Sequence, residues 1–349
     1  MTDDAKHQSE VLIVGAGVAG LSCATALRKR GADVTVVDAA RGVGGRCATW
    51  RADDGLPLDY GVVFLHGLEA AFCSEITQVE GATVLHGWPE RVEGHGVACQ
   101  PRAFARREQR LAYAEGLSAW PKQLARELHL HLRTRIASFA HQGGLITALA
   151  EDGRSFVARD VVLTAPCEHL LRMLEGWPAA AQVLDGPRHL LRMVGTVPCL
   201  TLLATYAPSA PDVGWHVRYP EESELLLLVS NEGSKQPARS RRALVLQARP
   251  AWSHAHLGDP EEQVTRLMLG EAGRLLGAWA ASPAWLRLHR WQAARTDVSS
   301  ELSGPMLLPL DSGARLGLAG ELFARGAGVE AAWLSGRQLA ERLGDGARA

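Results

Sequence analysis

Residues 11–14 (Val-Leu-Ile-Val) run straight into Gly15-Ala16-Gly17-Val18-Ala19-Gly20, and a helical pattern through Leu21, Ala24 and Leu27 follows until Gly31 ends it. A second apolar strand, residues 33–37, closes on Asp38, 23 positions after Gly15. Strand, glycine turn, helix, strand and terminal acid within about 30 residues is the arrangement that binds an adenine dinucleotide. Gly15 permits the tight bend, Gly17 lets the backbone approach a pyrophosphate, and Gly20 lets helix and strand pack closely. The free N–H groups at Val18 and Ala19 open the helix toward phosphate, and Asp38 accepts hydrogen bonds from a ribose diol.

A second glycine turn follows at once, Arg41-Gly42-Val43-Gly44-Gly45-Arg46. A nicotinamide dehydrogenase has no need of it, whereas a longer, extended dinucleotide does. Gly44 and Gly45 bring backbone N–H groups close to phosphate, while Arg41 and Arg46 add charge, Arg46 as a forked cation for the pyrophosphate or a flavin edge.

The elements that must hold these turns can be traced along the chain. Residues 41–59 read as an extended loop, and Asp59-Tyr60-Gly61 introduces an apolar run at 62–65. Residues 132–165 read as short strands parted by Gly143-Gly144 and Asp152-Gly153, ending before Pro166 and a helix from Glu168. Strand-like runs at 200–206, 225–230 and 243–248, with a helical run at 260–279, form a second, substrate-facing domain. Residues 314–343 are again strand, glycine, helix and rejoin the first sheet. The expected fold is α/β, a Rossmann-like dinucleotide-binding domain with an interrupting α+β substrate domain. The dinucleotide-binding domain is assigned residues 1–70, 130–172 and 290–349, and the substrate domain residues 71–129 and 173–289.

Composition narrows the partners. The 349 residues suffice for two domains, and 47% apolar with 21% charged residues is ordinary for a globular protein. No apolar stretch reaches the roughly 18 residues of a spanning helix. A net charge of -1 supplies no field for nucleic acid or a membrane surface, so a small molecule is the expected partner. The six cysteines never form a C-x-x-C pair, which argues against a disulfide framework and a zinc ribbon. The polar, acidic first ten residues lack a secretion signal, and a cytoplasmic protein is expected. His254 and His256 would share a face on a strand, but no third ligand of the right kind stands near them, so no metal is expected.

V-G-A-G-x-A-G-L-S, the acid at the second strand end and R-G-V-G-G-R together resemble the FAD domain of the amine-oxidase superfamily, a GR2-type flavoprotein fold, and most closely its renalase branch. The segment Leu318-Ala319-Gly320-Glu321, followed by Gly328-Val329-Glu330-Ala331-Ala332-Trp333, is similar to the family's second FAD signature. The resemblance implies that a helix starting near Val329 aims its positive end at the flavin, with Ala332, Ser335 and Gly336 keeping it thin. Ser234-Lys235-Gln236-Pro237-Ala238-Arg239 resembles the branch's S-K-P-G-R loop, Trp252-Ser253 follows, and His289-Arg290-Trp291 resembles its H-R-W tract.

Two departures stand beside these matches. Glu321 replaces an aspartate, and Asp59-Tyr60-Gly61-Val62-Val63-Phe64 stands where renalases read D-H-G-A-Q-Y-F, so that Val63 replaces a glutamine. An isopropyl group cannot hydrogen-bond what an amide binds, and the family's substrate does not carry over.

The resemblance implies noncovalent FAD held by Gly15, Gly17, Val18, Ala19, Gly20, Asp38, Arg41, Gly44, Gly45, Arg46, Gly61, Pro166, Gly320, Glu321, Gly328, Val329 and Ala332. It implies a substrate pocket at Tyr60, Val63, Trp252, His289 and Trp291. The reaction implied is hydride transfer from isomeric dihydronicotinamide dinucleotides to flavin N5, with dioxygen as acceptor and hydrogen peroxide as product. An amine oxidase or desaturase on the same scaffold, with Trp215 among its walls, and a flavin- or nucleotide-binding protein without turnover are the alternatives. Many amine oxidases of the superfamily keep a lysine hydrogen-bonded through water to flavin N5, and the mid-chain lysine here, Lys235, is already claimed by the loop match, which weighs against the amine case.

Overall fold

The computed structural model describes residues 6–94, 104–177, 180–236, 242–297, 302–310, 313–326 and 328–345. Pro237, Ala238 and Arg239 of the polar loop therefore lie outside the described residues. The chain forms two compact units: Met1–Gly45, Pro121–Thr196 and Arg295–Ala349 make the first, Arg46–Trp120 and Val197–Ala294 the second. The sequence division above is drawn at other points: residues 46–70 and 290–294 lie in the second unit, and residues 121–129 and 173–196 in the first.

The first unit is built on parallel strands. His129–His131, Val34–Val37, Lys6–Val14, Ser155–Leu163 and Arg315–Leu318 lie side by side in that order, every pairing parallel. Unbroken aliphatic runs suit this arrangement because both faces of a parallel sheet are covered. Val34–Val37 is buried throughout, in register from Val11↔Val34 to Val14↔Val37. Arg315 forks onto Asp160 on the neighbouring strand, with Nε 2.7 Å and Nη2 2.6 Å from its two oxygens. An antiparallel meander, Ile136–Gln142 and Leu145–Ala150, continues the sheet from Ser155–Leu163. The core gathers Leu12, Val14, Phe156, Leu163, Trp177, Leu316 and Phe323, each fully buried aliphatic side chain contributing about 1.5–3 kcal/mol.

The second unit holds a six-stranded sheet in the order Trp285–Thr296, Thr196–Tyr206, Arg242–Ala248, Leu226–Asn231, Val217–Arg218, Val92–Glu93. The helix Glu261–Leu276 buries Val264, Met268 and Ala272 against Leu200, Leu202, Leu244 and Leu246 of that sheet. The stretch read as an extended loop contains a small hairpin, Thr49–Arg51 with Pro57–Asp59. His254 and His256 stand on a helix, Pro250–His256, which corrects the strand geometry considered for them: Pro250 opens that helix at its first turn, where its missing N–H costs nothing. His256 Nδ1 lies 2.7 Å from Asp259. Among the described residues no helix is long and apolar enough to cross a membrane, and no group of three potential ligands could hold a metal.

Candidate functional site

In the first unit the two glycine turns meet. Gly15 sits at φ 119°, its N–H donating to Val37 O at 2.8 Å. A side chain on Gly20 would collide with the Gly15 carbonyl, so the helix Val18–Arg28 approaches the strand end only because that position is bare. Gly44 N–H donates to Ala16 O at 2.8 Å and Gly44 bridges Gly17, placing the second turn directly on the first. Above Gly17 nothing lies within 4 Å of where a Cβ would stand.

Asp38 is held by two backbone donors, Ala16 N–H on Oδ2 and Ala40 N–H on Oδ1, both at 2.6 Å. A carboxylate has about four acceptor sites, so room remains for a diol. Thr164, which the sequence reading passed over, donates from Oγ1 to Val14 O at 3.2 Å and Gly15 O at 3.1 Å, and Pro166 follows at the start of the helix Cys167–Glu175. Arg41 is exposed on the second turn, and Gly45 beside it has φ 55°.

The C-terminal signature belongs to the same unit. Gly320 N–H donates to Ser335 Oγ at 2.9 Å, and Gly328, Val329 and Ala332 form the first turns of the helix Gly328–Asp345. Its small residues face the first helix: Ser22 Oγ donates to Trp333 O at 2.9 Å, and a Cβ on Gly336 would strike Ala19 O. Glu321, 8% exposed, accepts from Thr296 N–H at 2.6 Å and Thr296 Oγ1 at 2.8 Å.

In the second unit Tyr60, His289 and Trp291 come together. Tyr60 and Trp291 are stacked, ring centroids 5.3 Å apart, and His289 meets them edge-on at 4.9 and 4.3 Å. Alternation along the strand Trp285–Thr296 puts His289 and Trp291 on one face. The segment that carries Tyr60 is tied down at nearly every backbone group. Trp291 Nε1 donates to Tyr60 O at 3.1 Å, Gln247 Nε2 to Gly61 O at 2.6 Å, and Val62 N–H to Arg46 O at 2.9 Å. Gly61 touches Arg46 O so closely that any side chain would collide with it. Arg46 itself donates from Nη1 to Ala294 O at 3.0 Å.

Lys235 holds both ends of this segment. Its ammonium, 2% exposed, donates to Asp59 Oδ2 at 2.8 Å, Glu232 Oε2 at 2.9 Å and Val63 O at 2.7 Å, and lies 4.5 Å from the Trp88 ring centre. Asp59 also accepts from Thr49 Oγ1 at 2.6 Å and Leu117 N–H at 2.8 Å, and Glu232 from Ser230 Oγ at 2.6 Å and Asp59 N–H at 3.0 Å. Burial works against the charge on Lys235, but Asp59 and Glu232 outweigh it and hold the amine above its usual range. Burial, with Asp59 beside it, pushes Glu232 up. Around the rings, burial and then the Arg287 guanidinium hold His289 below its usual range, so the imidazole is neutral at pH 7.

Two of the pocket residues expected from sequence stand elsewhere. Val63 is 3% exposed, its side chain in the interior, and only its carbonyl takes part, on Lys235. Trp252, on the helix Pro250–His256, packs against His256 at 4.2 Å and shares no ring contact with Tyr60 or Trp291. Lys235, Asp59, Glu232 and Gln247 were missed as site residues. A signal was present for two of them: Lys235 is one of only four lysines in the chain, and Glu232 precedes it by three positions.

Residues 80–344 match the family described as flavin containing amine oxidoreductase, and residues 13–75 the NAD(P)-binding Rossmann-like domain. Over 68 residues the chain is 41% identical to Lysine-specific histone demethylase 1 homolog 3 of Arabidopsis thaliana, a stretch amounting to 20% of this chain and 4% of that protein. Wild-type putrescine oxidase bound to putrescine shares the fold at TM-score 0.75 and 16% identity, covering 97% of this chain and 100% of that one. Cyclohexylamine oxidase from Brevibacterium oxydans IH-35A does so at TM-score 0.73 and 14% identity, covering 98% and 100%. The likeness to these structures concerns the mixed α/β fold, while the family match spans most of the sequence. The chain belongs to the flavin-containing amine oxidoreductase family and is a flavin-dependent oxidoreductase.

Proposed function

We propose that the protein is an FAD-dependent oxidase of the renalase-like kind, taking hydride from a small reduced substrate of which an isomeric dihydronicotinamide dinucleotide is the leading candidate. The observation that carries this reading is the locking of Lys235 by Asp59, Glu232 and Val63 O, beside a ring cluster whose histidine is neutral. Such a site orients and shields a substrate and offers it no free amine or carboxylate as a base. A hydride donor that loses no proton in the step needs only that orientation.

The first unit fits FAD. Its two contiguous glycine turns and the space above Gly17 suit a pyrophosphate beside Val18, Ala19, Gly44 and Gly45, Asp38 suits a ribose, and Gly320, Glu321, Gly328, Val329 and Ala332 suit the flavin end. A flavin held there would supply a two-electron acceptor, with dioxygen as the terminal oxidant and hydrogen peroxide as the product. Burial pushes the thiols of Cys23 and Cys47, the two cysteines nearest the glycine turns in sequence, up to about 12, so both stay protonated.

The test is anaerobic mixing of the yellow protein with borohydride-derived isomers of the reduced nicotinamide dinucleotide, and separately with putrescine and cyclohexylamine. Bleaching by an isomer and not by the amines is the expected result. Bleaching by the amines alone would establish the second reading, an amine oxidase, which the likeness to two amine oxidase structures favours.

A further inference from the structure

The ring cluster continues along its strand into a cation. Arg287 is two residues before His289 on Trp285–Thr296, so alternation places it on the same face as His289 and Trp291. Its guanidinium carbon lies 3.7 Å above the ring centre of Trp50, and the side chain is exposed. Among the described residues Arg287 forms no ion pair with a carboxylate. The nearest acid of the Tyr60 segment, Asp59, is buried and already shared by Lys235, Thr49 and Leu117.

A guanidinium stacked on an indole uses its face and keeps its edge N–H groups for an acceptor. The stack also removes much of the freedom a long cation would otherwise lose on binding. With about 3.3 Å of rise per residue, Arg287 stands roughly 7 Å from His289 and roughly 13 Å from Trp291 along the strand. A flat ring against Tyr60 and Trp291 would therefore have a fixed, unpaired cation within the reach of a substituent one or two sugar lengths away. A diamine would meet the same cation as a repulsion.

We propose that Arg287 is the anion anchor of the substrate site, and that the substrate carries a flat ring together with a phosphate or carboxylate group. The proposal rests on reading the Tyr60–His289–Trp291 cluster as the substrate-facing surface, and it adds to that reading the residue that holds the substrate's anionic group.

The test is calorimetric titration of the flavin-loaded protein with nicotinamide, nicotinic acid, nicotinamide mononucleotide and putrescine, repeated on Arg287→Gln, Arg287→Lys and Trp291→Ala. An anionic ring compound should bind at least tenfold more tightly than nicotinamide, and Arg287→Gln should abolish that advantage while Arg287→Lys restores part of it. Preference for the mononucleotide marks a phosphate as the anchored group, and preference for nicotinic acid marks a carboxylate. Equal binding of neutral and anionic rings, a preference that survives Arg287→Gln, or binding of no ring compound would overturn the proposal. Trp291→Ala separates the two levels: if it leaves every ring affinity unchanged while Arg287→Gln does not, the cluster is not the ring site although the anchor stands.

Discussion

The indole N–H of Trp291 donates to the carbonyl oxygen of Tyr60 at 3.1 Å while the two rings stack 21° from parallel. One side chain thus fixes both the backbone and the ring of its neighbour. Trp291→Phe keeps an aromatic wall but leaves the Tyr60 carbonyl without its donor. The expected outcome is a severalfold rise in KM with a smaller change in kcat, since the ring is repositioned and no reacting group is removed. Steady-state kinetics on the substrate that bleaches the flavin would check it, and an unchanged KM would contradict the positioning role.

Lys235 is the counterpart on the same segment, joining Asp59 to the Val63 carbonyl. Replacing it by methionine leaves Asp59 and Glu232 as uncompensated buried carboxylates, a change that typically costs about 3–5 kcal/mol. Lys235→Met should lower the melting temperature by about 5 °C or more, and adding Asp59→Asn and Glu232→Gln to it should recover part of the loss. Differential scanning calorimetry on the single and triple variants distinguishes a charge effect from lost packing, because only the former is rescued by neutralising the partners.

The Rossmann-like half of the fold was legible in the sequence because its pattern is local. Gly15, Gly17, Gly20 and Asp38 lie within one strand-turn-helix-strand unit, and the strand at 34–37 begins and ends within a residue of the reading. The meeting of Gly17 with Gly44 could not be read from spacing, since it depends on how the bend after Asp38 returns. The second unit was less legible for the same reason: Lys235 lies 176 positions from Asp59, and Gln247 lies 186 from Gly61. Val63 was expected in the pocket because it stands where the resembling branch has a glutamine, but its side chain is buried and only its carbonyl meets Lys235.

Gly15→Val joins two defects. The backbone at φ 119° is unfavourable for a β-branched residue, and the new Cβ would press on Thr164 Oγ1, which itself secures the turn. The variant should be purified colourless and fail to take up added FAD. A yellow Gly15→Val protein with stoichiometric flavin would contradict the assignment of the turn.

Glu321 is tied to Thr296 by two short hydrogen bonds in a buried setting. Glu321→Ala leaves the Thr296 N–H without an acceptor, at a cost of about 1–3 kcal/mol. Glu321→Gln keeps an amide oxygen in place and should cost less. Thermal denaturation of the flavin-free proteins should rank wild type, then Gln, then Ala. If alanine matches wild type, the carboxylate has no such structural role, and any flavin loss in the variant would have to come from direct contact.

His289 supplies the pH dependence. Its proton affinity is lowered by burial first and by Arg287 second, so the folded chain resists a proton that the unfolded chain accepts near pH 6.5. The linkage sign follows: the component is fully present above that value and is lost as pH falls toward the depressed folded value. His289→Gln cannot take up the proton, and the wild-type advantage over it should shrink between pH 7.5 and 5.5. His131, His169 and His216 are lowered too, but they are common to both proteins and cancel in the difference. Urea unfolding at several pH values reads that difference directly. Curves that stay parallel through pH 6.5 would mean that the imidazole titrates alike in the folded and unfolded chains, and the lowered proton affinity assigned to His289 would be contradicted.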